Sequence, residues 1–417
     1  MGHFNLSMSL NVLPVFILFH LLGTCTATAT PVWIDTDPSV GIGEVDDGLA
    51  LIQAMNSRAL DIRGIGVVYG NAGVKECNRV AMQLADAFSE YKIPVYEGAA
   101  SAEDDTSSDA AYGLAKLLKT ERIVVVALGP LTNIARTLRL NPALAANITQ
   151  LVAVAGRREL LQFRVGSMTD SFPDLNFEKD ASSFKFTVET LLKYNSNIVL
   201  APWEISSNVW LTKDHLQMMQ QAIVPDITEF NVGAAVPLSF DEALLICQQS
   251  LQHRMHDPSQ QMIGRCANLY WVLEKCTHWA DLWIRSFGTN GFNPFDTLAV
   301  GYLTDYDLYE CDNVRHEFVG MELSSMSPVI EAEIVNDLSI HIAHNHDAEG
   351  SSALSERMNT EECGAPDADS FLCSAHLSAP QFVLTNSSTF SALKYCRHVN
   401  GATFLSRLME RLSIWPR

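Results

Sequence analysis

Basic residues are scarce in this chain. Lysine and arginine together number 28, against 48 aspartate and glutamate residues, so the 417-residue chain carries a formal net charge of −20. Such an acidic surface repels a phosphate backbone, and the composition therefore argues against a nucleic acid partner. The remaining composition, with 47% hydrophobic and 18% charged residues, is that of an ordinary globular protein with enough chain for a large core.

Several common motifs are also missing. No cysteine and histidine spacing matches a zinc site, and no internal repeat is present. Gly41 and Gly43 have the wrong spacing for a dinucleotide-binding fingerprint. Beyond the N-terminal segment, no apolar run is long enough to suggest a membrane span. These absences narrow the search to a globular domain without zinc or a dinucleotide.

The N-terminal segment is typical of a secretory signal peptide. Residues 11–23 form an apolar run too short for a comfortable span, and small residues that include Ala27 and Ala29 follow it. We therefore expect residues 1–29 to be removed, leaving a secreted protein, either extracellular or in the lumen of the secretory pathway. No stable membrane insertion is expected after removal. An uncleaved membrane anchor is the alternative.

Cysteine usage is compatible with export. Of nine cysteines, Cys25 lies in the N-terminal segment, and the remaining even number permits disulfides whose pairing the sequence leaves open. Cys77 lies in a helical pattern and is expected to be a buried free thiol. Asn147 and Asn386 begin N-glycosylation sequons, which matter in a eukaryotic secretory route.

From residue 32 onward, short apolar runs alternate with helical patterns. The runs typical of strands are residues 32–36, 62–68, 123–128, 151–155 and 198–200. Helical spacing follows between them, over residues 77–88 and 131–140. This alternation predicts an α/β fold with an open, mostly parallel central sheet and helices on both faces. In such sheets, functional sites gather at the carboxyl ends of the strands.

The predicted domain covers residues 30–417. Within it, residues 344–388 are polar and lack periodicity, which predicts an irregular surface insertion, followed by a final helix near residues 403–412.

The most informative segment follows the first predicted strand. Asp35 and Asp37 end that strand, while Asp46 and Asp47 stand where the next helix begins and are expected to double as its N-cap. Five carboxylates lie between residues 35 and 47, and residues 31–57 contain no lysine, arginine or histidine. Like charges this dense raise one another's pKa unless a cation lies among them. A hard metal ion with oxygen ligands is the expected counter-charge.

Five motifs resemble those of the inosine–uridine-preferring nucleoside hydrolases. They are Asp-Thr-Asp-Pro with the later Asp-Asp pair, Val-Val-Tyr-Gly-Asn at 67–71, Gly-Pro-Leu-Thr-Asn at 129–133, Asp-Leu-Asn-Phe-Glu-Lys-Asp at 174–180 and Asn-Pro-Phe-Asp at 293–296. The resemblance runs over about residues 31–305. It implies the fold of that family, hydrolysis of the N-glycosidic bond of purine or pyrimidine ribonucleosides to free base and ribose, and a calcium cofactor. Family analogy also allows a homo-oligomer.

The resemblance also implies roles for individual residues. Asp37 would bind Ca²⁺ and act as general base on the bound water. The other metal ligands would be Asp47, Asp296 and the carbonyl of Leu128. The ribose hydroxyls would be held by Asp46, Asn71, Asp174 and Asn176, and Asp35 would support the cluster. These residue types suit the reaction, because carboxylates stabilise the positive charge that develops on the ribose and a metal lowers the pKa of its water.

Two alternatives remain open at this point. Position 295 is phenylalanine where many family members place a histidine that helps the leaving base depart, which favours an extracellular nucleoside- or sugar-binding protein of weak activity on the same scaffold. An Asp-x-Asp pair after the first strand is also typical of haloacid-dehalogenase-like phosphatases. Trp203 and Trp210 could stack on a nucleobase, although aromatic residues at a strand end are more often part of the core.

Export leads to a first prediction. If the N-terminal segment is a cleaved signal, protein collected from the medium of a secreting host should begin close to Thr30 when its N-terminus is sequenced. A mature protein that retains Met1 would contradict the assignment and favour the membrane anchor.

Overall fold

The computed structural model describes a set of segments that covers most of the chain. These segments are residues 29–40, 44–103, 108–158, 164–167, 174–225, 238–319, 339–342, 372–375, 381–386 and 393–412. The strands are β1 (Thr30–Thr36), β2 (Leu60–Val67), β3 (Val95–Glu97), β4 (Ile123–Ala127), β5 (Ile148–Ala153), β6 (Arg157–Arg158), β7 (Asn197–Leu200), β8 (Leu211–Thr212), β9 (Gly291–Phe292), β10 (Tyr309–Val319), β11 (Ser339–Ile342), β12 (Leu372–Ala375), β13 (Gln381–Asn386) and β14 (Leu393–Val399).

Helices occupy most of the intervals between the strands. They are α1 (Asp46–Met55), α2 (Val74–Phe88), α3 (Asp109–Leu118), α4 (Thr132–Leu140), α5 (Leu175–Glu178), α6 (Ala181–Lys193), α7 (Trp203–Ser206), α8 (Lys213–Ile223), α9 (Phe240–Arg254), α10 (Gln260–Phe287), α11 (Phe295–Thr304) and α12 (Gly401–Arg411), with 3-10 turns at Pro142–Asn147 and Tyr306–Leu308. No helix in these segments combines the length and apolar character that crossing a bilayer requires.

The strands form one large, mostly parallel sheet. Its order is β3-β2-β1-β4-β5-β7-β14-β10-β13-β6, and two separate two-stranded pairs are β11-β12 and β8-β9. Strand β10 runs antiparallel to both of its neighbours, while the other pairings in the large sheet are parallel. The predicted open, mostly parallel sheet is therefore confirmed.

Each face of the sheet is covered by helices. Because side chains alternate along a strand, Val32 and Ile34 of β1 join one apolar cluster and Trp33 joins the other. The first cluster includes α1, α2 and α8 to α12, and the second includes α3, α4 and α6. The strands are apolar on both sides for this reason, and the predicted helices on both faces are confirmed.

Local predictions compare closely with the structure. The helical spacing at 77–88 and 131–140 corresponds to α2 and α4, and Cys77 is a buried free cysteine as expected. The prediction of irregular structure over residues 344–388 is wrong at β12 and β13, and β13 joins the large sheet beside β10. The stretch as a whole is polar, so the short β-forming run at residues 381–386 was not recognised in the sequence. The other residues of that stretch lie outside the described residues, and so do residues 1–28 of the predicted signal segment.

Two disulfides join neighbouring elements. Cys247–Cys266 links α9 to α10, and Cys311–Cys396 links the adjacent strands β10 and β14. The sequence permitted disulfides without giving this pairing. Both bonds restrict the second half of the domain, where α10 packs against α8, α9 and α2.

A buried carboxylate anchors the last helix. Asp305, at the end of α11, is 2% exposed and accepts hydrogen bonds from Arg407 at 2.9 Å and from Arg411, both on α12. Burial opposes ionisation of Asp305, but hydrogen bonds from Arg411, Thr304 and Arg407 bring its pKa below the ordinary value. A lowered folded pKa means that this stabilisation is complete above the unfolded pKa and is lost as the pH falls through the folded pKa.

We expect Asp305→Ala to lower the free energy of unfolding by about 3 kcal/mol, because it leaves two guanidinium groups without their shared partner. Denaturant titration followed by circular dichroism measures the change. Asp307→Ala is the matched control, since Asp307 is 65% exposed and pairs with the same Arg407. Its loss should be much smaller, because solvent screens an exposed ion pair. Equal losses from the two variants would contradict the anchoring role.

Candidate active site

Parallel strands end at one edge of the sheet, and polar residues follow several of them there. Asp37 follows β1, Asn71 lies shortly after β2, and Leu128 follows β4. Since β1 lies between β2 and β4, these three residues converge. Helix α1 begins after the loop that follows Asp37, and it places two more carboxylates at this edge.

Asp47 holds the converging segments together. Its Oδ1 accepts hydrogen bonds from the Thr36 hydroxyl at 2.5 Å and from the backbone N–H of Asp37 at 3.2 Å. Its Oδ2 accepts from the side-chain amide of Asn71 at 2.8 Å. Asp46 accepts from the backbone N–H of Asp296 at 3.0 Å. These bonds tie the ends of β1 and β2 and the start of α11 to the first turn of α1.

The predicted N-cap role of Asp46 and Asp47 is wrong. The N-cap residue of α1 is Val45, which makes no side-chain capping bond, and the two aspartates are the first residues of the helix itself. The side chain of Asp47 bonds to other segments of the chain, and that of Asp46 bonds to backbone N–H groups of Asp296 and Phe295 as well as to its own. The helix dipole still favours negative charge at this position.

The carboxylate of Asp37 borders a cavity. It is 1% exposed, and its Oδ2 accepts a hydrogen bond from the backbone N–H of Asn71 at 2.7 Å. Its Oδ1 is buried and finds no hydrogen-bond partner among the described residues. A side chain at Gly70 would place a Cβ only 1.7 Å from Asp37 Oδ2, so the carboxylate fits because position 70 is glycine. An acceptor oxygen without a protein donor at such a site is suited to a ligand.

The acidic residues are buried close together, and their negative charges repel one another when they are ionised. One oxygen from each of Asp46, Asp47 and Asp296 can lie within 4.8 Å of the others. Burial raises the pKa of Asp46 to about 7, helped by the charge of Asp47, and burial also raises the pKa of Asp296 well above its usual range. A divalent cation among these oxygens would favour the ionised carboxylates, and an all-oxygen donor set fits a hard cation. The residues present therefore fit a metal centre.

A cavity of about 690 Å³ opens beside the cluster. Six of the residues singled out from the sequence line it: Asp37, Asn71, Leu128, Asp174, Asn176 and Asp296. That volume includes the solvent at the open mouth of the cavity. Sequence reasoning therefore located the wall of one cavity from residues spread over most of the chain.

The remaining predicted residues lie behind that wall. Asp46 and Asp47 are buried next to it, whereas Asp35 points to a different network. The carboxylate of Asp35 accepts from Trp33 Nε1 at 3.1 Å and from Asn133 Nδ2 at 3.2 Å. Burial raises the pKa of Asp35 to about 7. Asn133 also donates to the carbonyl of Val67. Through Asn133, Asp35 therefore links the ends of β1 and β2 on the face of the sheet opposite α1.

Asp174 and Asn176 belong to the segment around α5. Asp174 accepts from the backbone N–H of Gly156 at 2.6 Å. The amide of Asn176 donates to the carbonyls of Leu128 at 2.7 Å and Val154 at 3.0 Å. A carbonyl oxygen has two lone pairs, so the Leu128 carbonyl can accept this bond and still meet a cation. The segment is thus fixed to the ends of β4 and β5.

Two charged residues of the wall, Glu44 and Lys179, were given no role from the sequence. Trp203, considered as a stacking residue but expected more often to belong to the core, also lines the cavity. Burial lowers the pKa of Lys179, while the charges of Asp37 and Glu44 oppose that effect. The signal for Lys179 was present, because it is the basic residue inside the motif at 174–180. Glu44 is one of the five carboxylates between residues 35 and 47, but the sequence gave no separate role for it.

A larger cavity of about 890 Å³ lies at the other end of α1 and does not share these features. Its wall includes Asn56, Arg265 and Arg411. Arg265 donates to Asn56 at 2.6 Å and to the carbonyl of Phe88, so it closes the C-terminal end of α2. The acidic cluster and the convergent strand ends mark the 690 Å³ cavity as the functional site.

Proteins of similar sequence include curated nucleoside hydrolases. The chain is 31% identical over 154 residues to a probable uridine nucleosidase 2 of Arabidopsis thaliana, covering 30% of this chain and 46% of the relative. It is 32% identical over 151 residues to a non-specific ribonucleoside hydrolase RihC of Salmonella agona, covering 30% and 47%. The aligned region thus spans about half the length of these curated relatives.

Solved structures with the same fold include a purine-preferring ribonucleoside hydrolase from Gardnerella vaginalis. The superposition covers 92% of this chain and 98% of that one, with a TM-score of 0.56 and 14% identity. A plant nucleoside hydrolase superimposes over the same shares with a TM-score of 0.55 and 16% identity. At these identities, the likeness establishes the fold alone.

The family model described as inosine-uridine preferring nucleoside hydrolase matches residues 32–362, which is most of the chain. That span contains all five motifs and every residue of the acidic cluster. The chain therefore belongs to the inosine-uridine preferring nucleoside hydrolase family.

Proposed function

We propose that this protein is an N-glycosyl hydrolase that splits ribonucleosides into free base and ribose, with Ca²⁺ as its cofactor. The observation that carries the proposal is the unpartnered Oδ1 of Asp37, which is buried at the cavity beside the carboxylates of Asp46, Asp47 and Asp296. Family membership supplies the reaction class, and the acidic cavity supplies groups suited to it.

The metal ligands in this proposal are Asp37, Asp47, Asp296 and the carbonyl of Leu128. When bound, a Ca²⁺ ion would lower the pKa of a coordinated water and help to orient the ribose. All four positions offer oxygen atoms at the same edge of the sheet, and calcium accepts about six to eight such ligands. The set leaves coordination positions for water and for ribose hydroxyls.

Asp37 is the proposed general base. Its Oδ2 is held by the backbone N–H of Asn71, which leaves Oδ1 as the atom that takes a proton from the attacking water. Without a cation, burial and the charge of Asp47 raise the pKa of Asp37 above the ordinary aspartate value. A bound cation would favour the ionised carboxylate, which is the form that can accept a proton.

The ribose is proposed to lie against Asn71, Asp174 and Asn176, which line the cavity, and to reach Asp46 immediately behind the wall. Amide and carboxylate side chains suit this task because each sugar hydroxyl both donates and accepts. A fixed sugar presents C1′ to the water from one face, and the surrounding carboxylates stabilise the positive charge that develops on the ring. Asp35 is proposed to support the site through the ends of β1 and β2 and not by contact with the sugar.

Location and alternatives complete the proposal. We propose that the protein acts outside the cell or in the secretory lumen, on the basis of the N-terminal segment and the acceptor sequons. A binding protein of weak activity is the second candidate, favoured by Phe295 in the cavity wall. Membership of the nucleoside hydrolase family argues against the phosphatase alternative.

Asp37→Asn tests the proposed base. The substitution keeps the shape of the side chain but removes its charge, so kcat for inosine and uridine should fall by about 10²–10⁴-fold or more. Calcium affinity, measured by isothermal titration calorimetry, should fall in the same variant. Asp61→Asn, which removes a charge from a surface ion pair on β2, is the control and should change neither quantity. Near-normal turnover by Asp37→Asn would show that proton transfer is assigned to the wrong residue.

Metal removal tests the cofactor separately. Chelation should abolish ribose release, and added Ca²⁺ should restore it, because buried carboxylates without a counter-charge become protonated near neutral pH. Thermal unfolding with and without Ca²⁺ gives a readout independent of activity, and the midpoint should rise with Ca²⁺ concentration. A midpoint and an activity that both ignore chelation would exclude a metal centre. A calcium-dependent midpoint without hydrolysis of any nucleoside would favour the binding protein.

A further inference from the structure

Hydrogen-bond donors are scarce in the described wall of the cavity. The amide of Asn176 uses both of its N–H groups on the carbonyls of Leu128 and Val154, which leaves only its Oδ1 for a ligand. The amide of Asn71 uses one N–H on Asp47. Ionised carboxylates in the wall only accept. A ribose hydroxyl both donates and accepts, so its oxygen needs a donor that most of these groups do not supply.

The ammonium of Lys179 is such a donor. It lines the cavity and carries three N–H groups, and it makes no hydrogen bond or ion pair with another residue that the structure describes. The charges of Asp37 and Glu44 act on this ammonium, so it faces the site and not the bulk solvent. Lys179 is therefore available to a ligand in the cavity.

Asn176 and Lys179 lie on the same face of one helical turn. Helix α5 covers Leu175–Glu178, and Lys179 continues it with helical backbone angles. Side chains three residues apart on a helix are neighbours, and both of these side chains line the cavity. A ligand hydroxyl at this face can donate to Oδ1 of Asn176 and accept from Lys179, which meets both of its requirements.

A buried tyrosine fixes the backbone from which the Lys179 side chain extends. Tyr69 is 7% exposed, and its hydroxyl donates to the carbonyl of Lys179 at 2.9 Å. The next residue, Asp180, accepts from the Thr132 hydroxyl at 2.7 Å and from the backbone N–H of Ser183 at 2.9 Å. A lysine side chain that starts from a fixed point loses less conformational freedom when its ammonium binds a ligand.

The chemistry of the ribose decides which hydroxyl this pair holds. The 2′ and 3′ hydroxyls are adjacent and reach one cation together, so they suit the proposed metal site. Positive charge develops on C1′ and the ring oxygen during cleavage, and an ammonium beside those atoms would oppose the reaction. The 5′ hydroxyl lies outside the ring and away from the diol, so it is the group that fits an ammonium donor.

We propose that Lys179 is a specificity-determining residue that donates a hydrogen bond to the 5′ hydroxyl of the ribose, and that Tyr69 positions it. This inference rests on the proposed hydrolase function and extends its sugar contacts to a basic residue. The enzyme should therefore prefer ribosides with a free 5′ hydroxyl to their 5′-deoxy analogues.

Hydrolysis of uridine and of 5′-deoxyuridine tests the proposal through the ratio of the two kcat/KM values. A hydrogen bond from a charged donor is worth about 10- to 100-fold, so the wild-type ratio should favour uridine by at least about tenfold. Lys179→Met removes the ammonium and should reduce this ratio by about tenfold or more. Any effect of the variant on Asp37 acts on both substrates and cancels in the ratio. An unchanged ratio would overturn the inference.

Two further analogues identify the hydroxyl. Since 2′-deoxyuridine and 3′-deoxyuridine keep the 5′ hydroxyl, Lys179→Met should weaken them as much as it weakens uridine. Their inhibition constants against uridine hydrolysis give this comparison even where they are not turned over. A loss of discrimination against the 3′-deoxy or 2′-deoxy compound, with discrimination against 5′-deoxyuridine retained, would overturn the assignment to the 5′ hydroxyl.

Tyr69→Phe tests the positioning role, because it removes only the hydroxyl that holds Lys179. The ratio of uridine to 5′-deoxyuridine should fall severalfold, by less than in Lys179→Met. Exposed positions near the end of α6 give the matched controls, Lys193→Met and Tyr194→Phe, which should leave the ratio unchanged. A Tyr69→Phe protein that loses thermal stability at an unchanged ratio would show a structural role and overturn the positioning claim.

Binding separates failure of this inference from failure of the proposed function. If the wild-type protein with Ca²⁺ hydrolyses neither uridine nor inosine, the hydrolase function fails, and dissociation constants from isothermal titration calorimetry give the same ratio. A binding ratio that Lys179→Met reduces would then uphold the contact, and an unchanged one would overturn it. Neither binding nor hydrolysis of any of these nucleosides would overturn both proposals.

Discussion

Mutual repulsion among buried carboxylates is the constraint on which the rest of this structure depends. Asp37, Asp46, Asp47 and Asp296 come from three places in the sequence and meet in a region that water barely reaches. Ionised together, they would repel one another strongly, since a low dielectric magnifies the interaction. The chain accommodates them with directed hydrogen bonds from Thr36, from Asn71 and from backbone N–H groups, and the donor set suits a cation. The suitability of the site for a cation and for the proposed hydrolysis both depend on this concentration of negative charge.

The fold meets this constraint through strand order. Because β1 lies between β2 and β4, the residues that follow these three adjacent strands are neighbours. No long loop is needed to bring them together. Asn176 and Asp174 close the arrangement from the side by bonding to the ends of β4 and β5. Gly70 leaves the space that the Asp37 carboxylate occupies. Rigid strand ends thus carry most of the site, as is usual for sites that must hold a sugar in one orientation.

Much of this could be predicted from the sequence, because the decisive signals are local. Apolar runs gave the strands, and the dense carboxylates before α1 gave the acidic centre. Six residues chosen from motifs proved to line one cavity. Lys179 was visible as the basic residue of the motif at 174–180, but its interaction with Asp37 was not predicted, because it depends on how the segment around α5 packs. The N-cap role expected for Asp46 and Asp47 failed for a similar reason, because tertiary partners outweighed the free N–H groups of their own helix. Strand β13 was hidden because a short β-forming run carries little weight inside a long polar segment.

The position of β14 has a consequence for how the chain is made. This strand comes late in the sequence, yet it lies between β7 and β10 in the middle of the sheet. A ribosome that has emitted β1 to β10 has therefore produced a sheet with a gap, in which β7 presents an unpaired edge until β14 arrives. Unpaired edges invite association with other chains. A chain of this topology gains from delayed folding, and handling by chaperones until synthesis is complete would protect the β7 edge until β14 pairs with it. The Cys311–Cys396 bond then fixes β14 to β10.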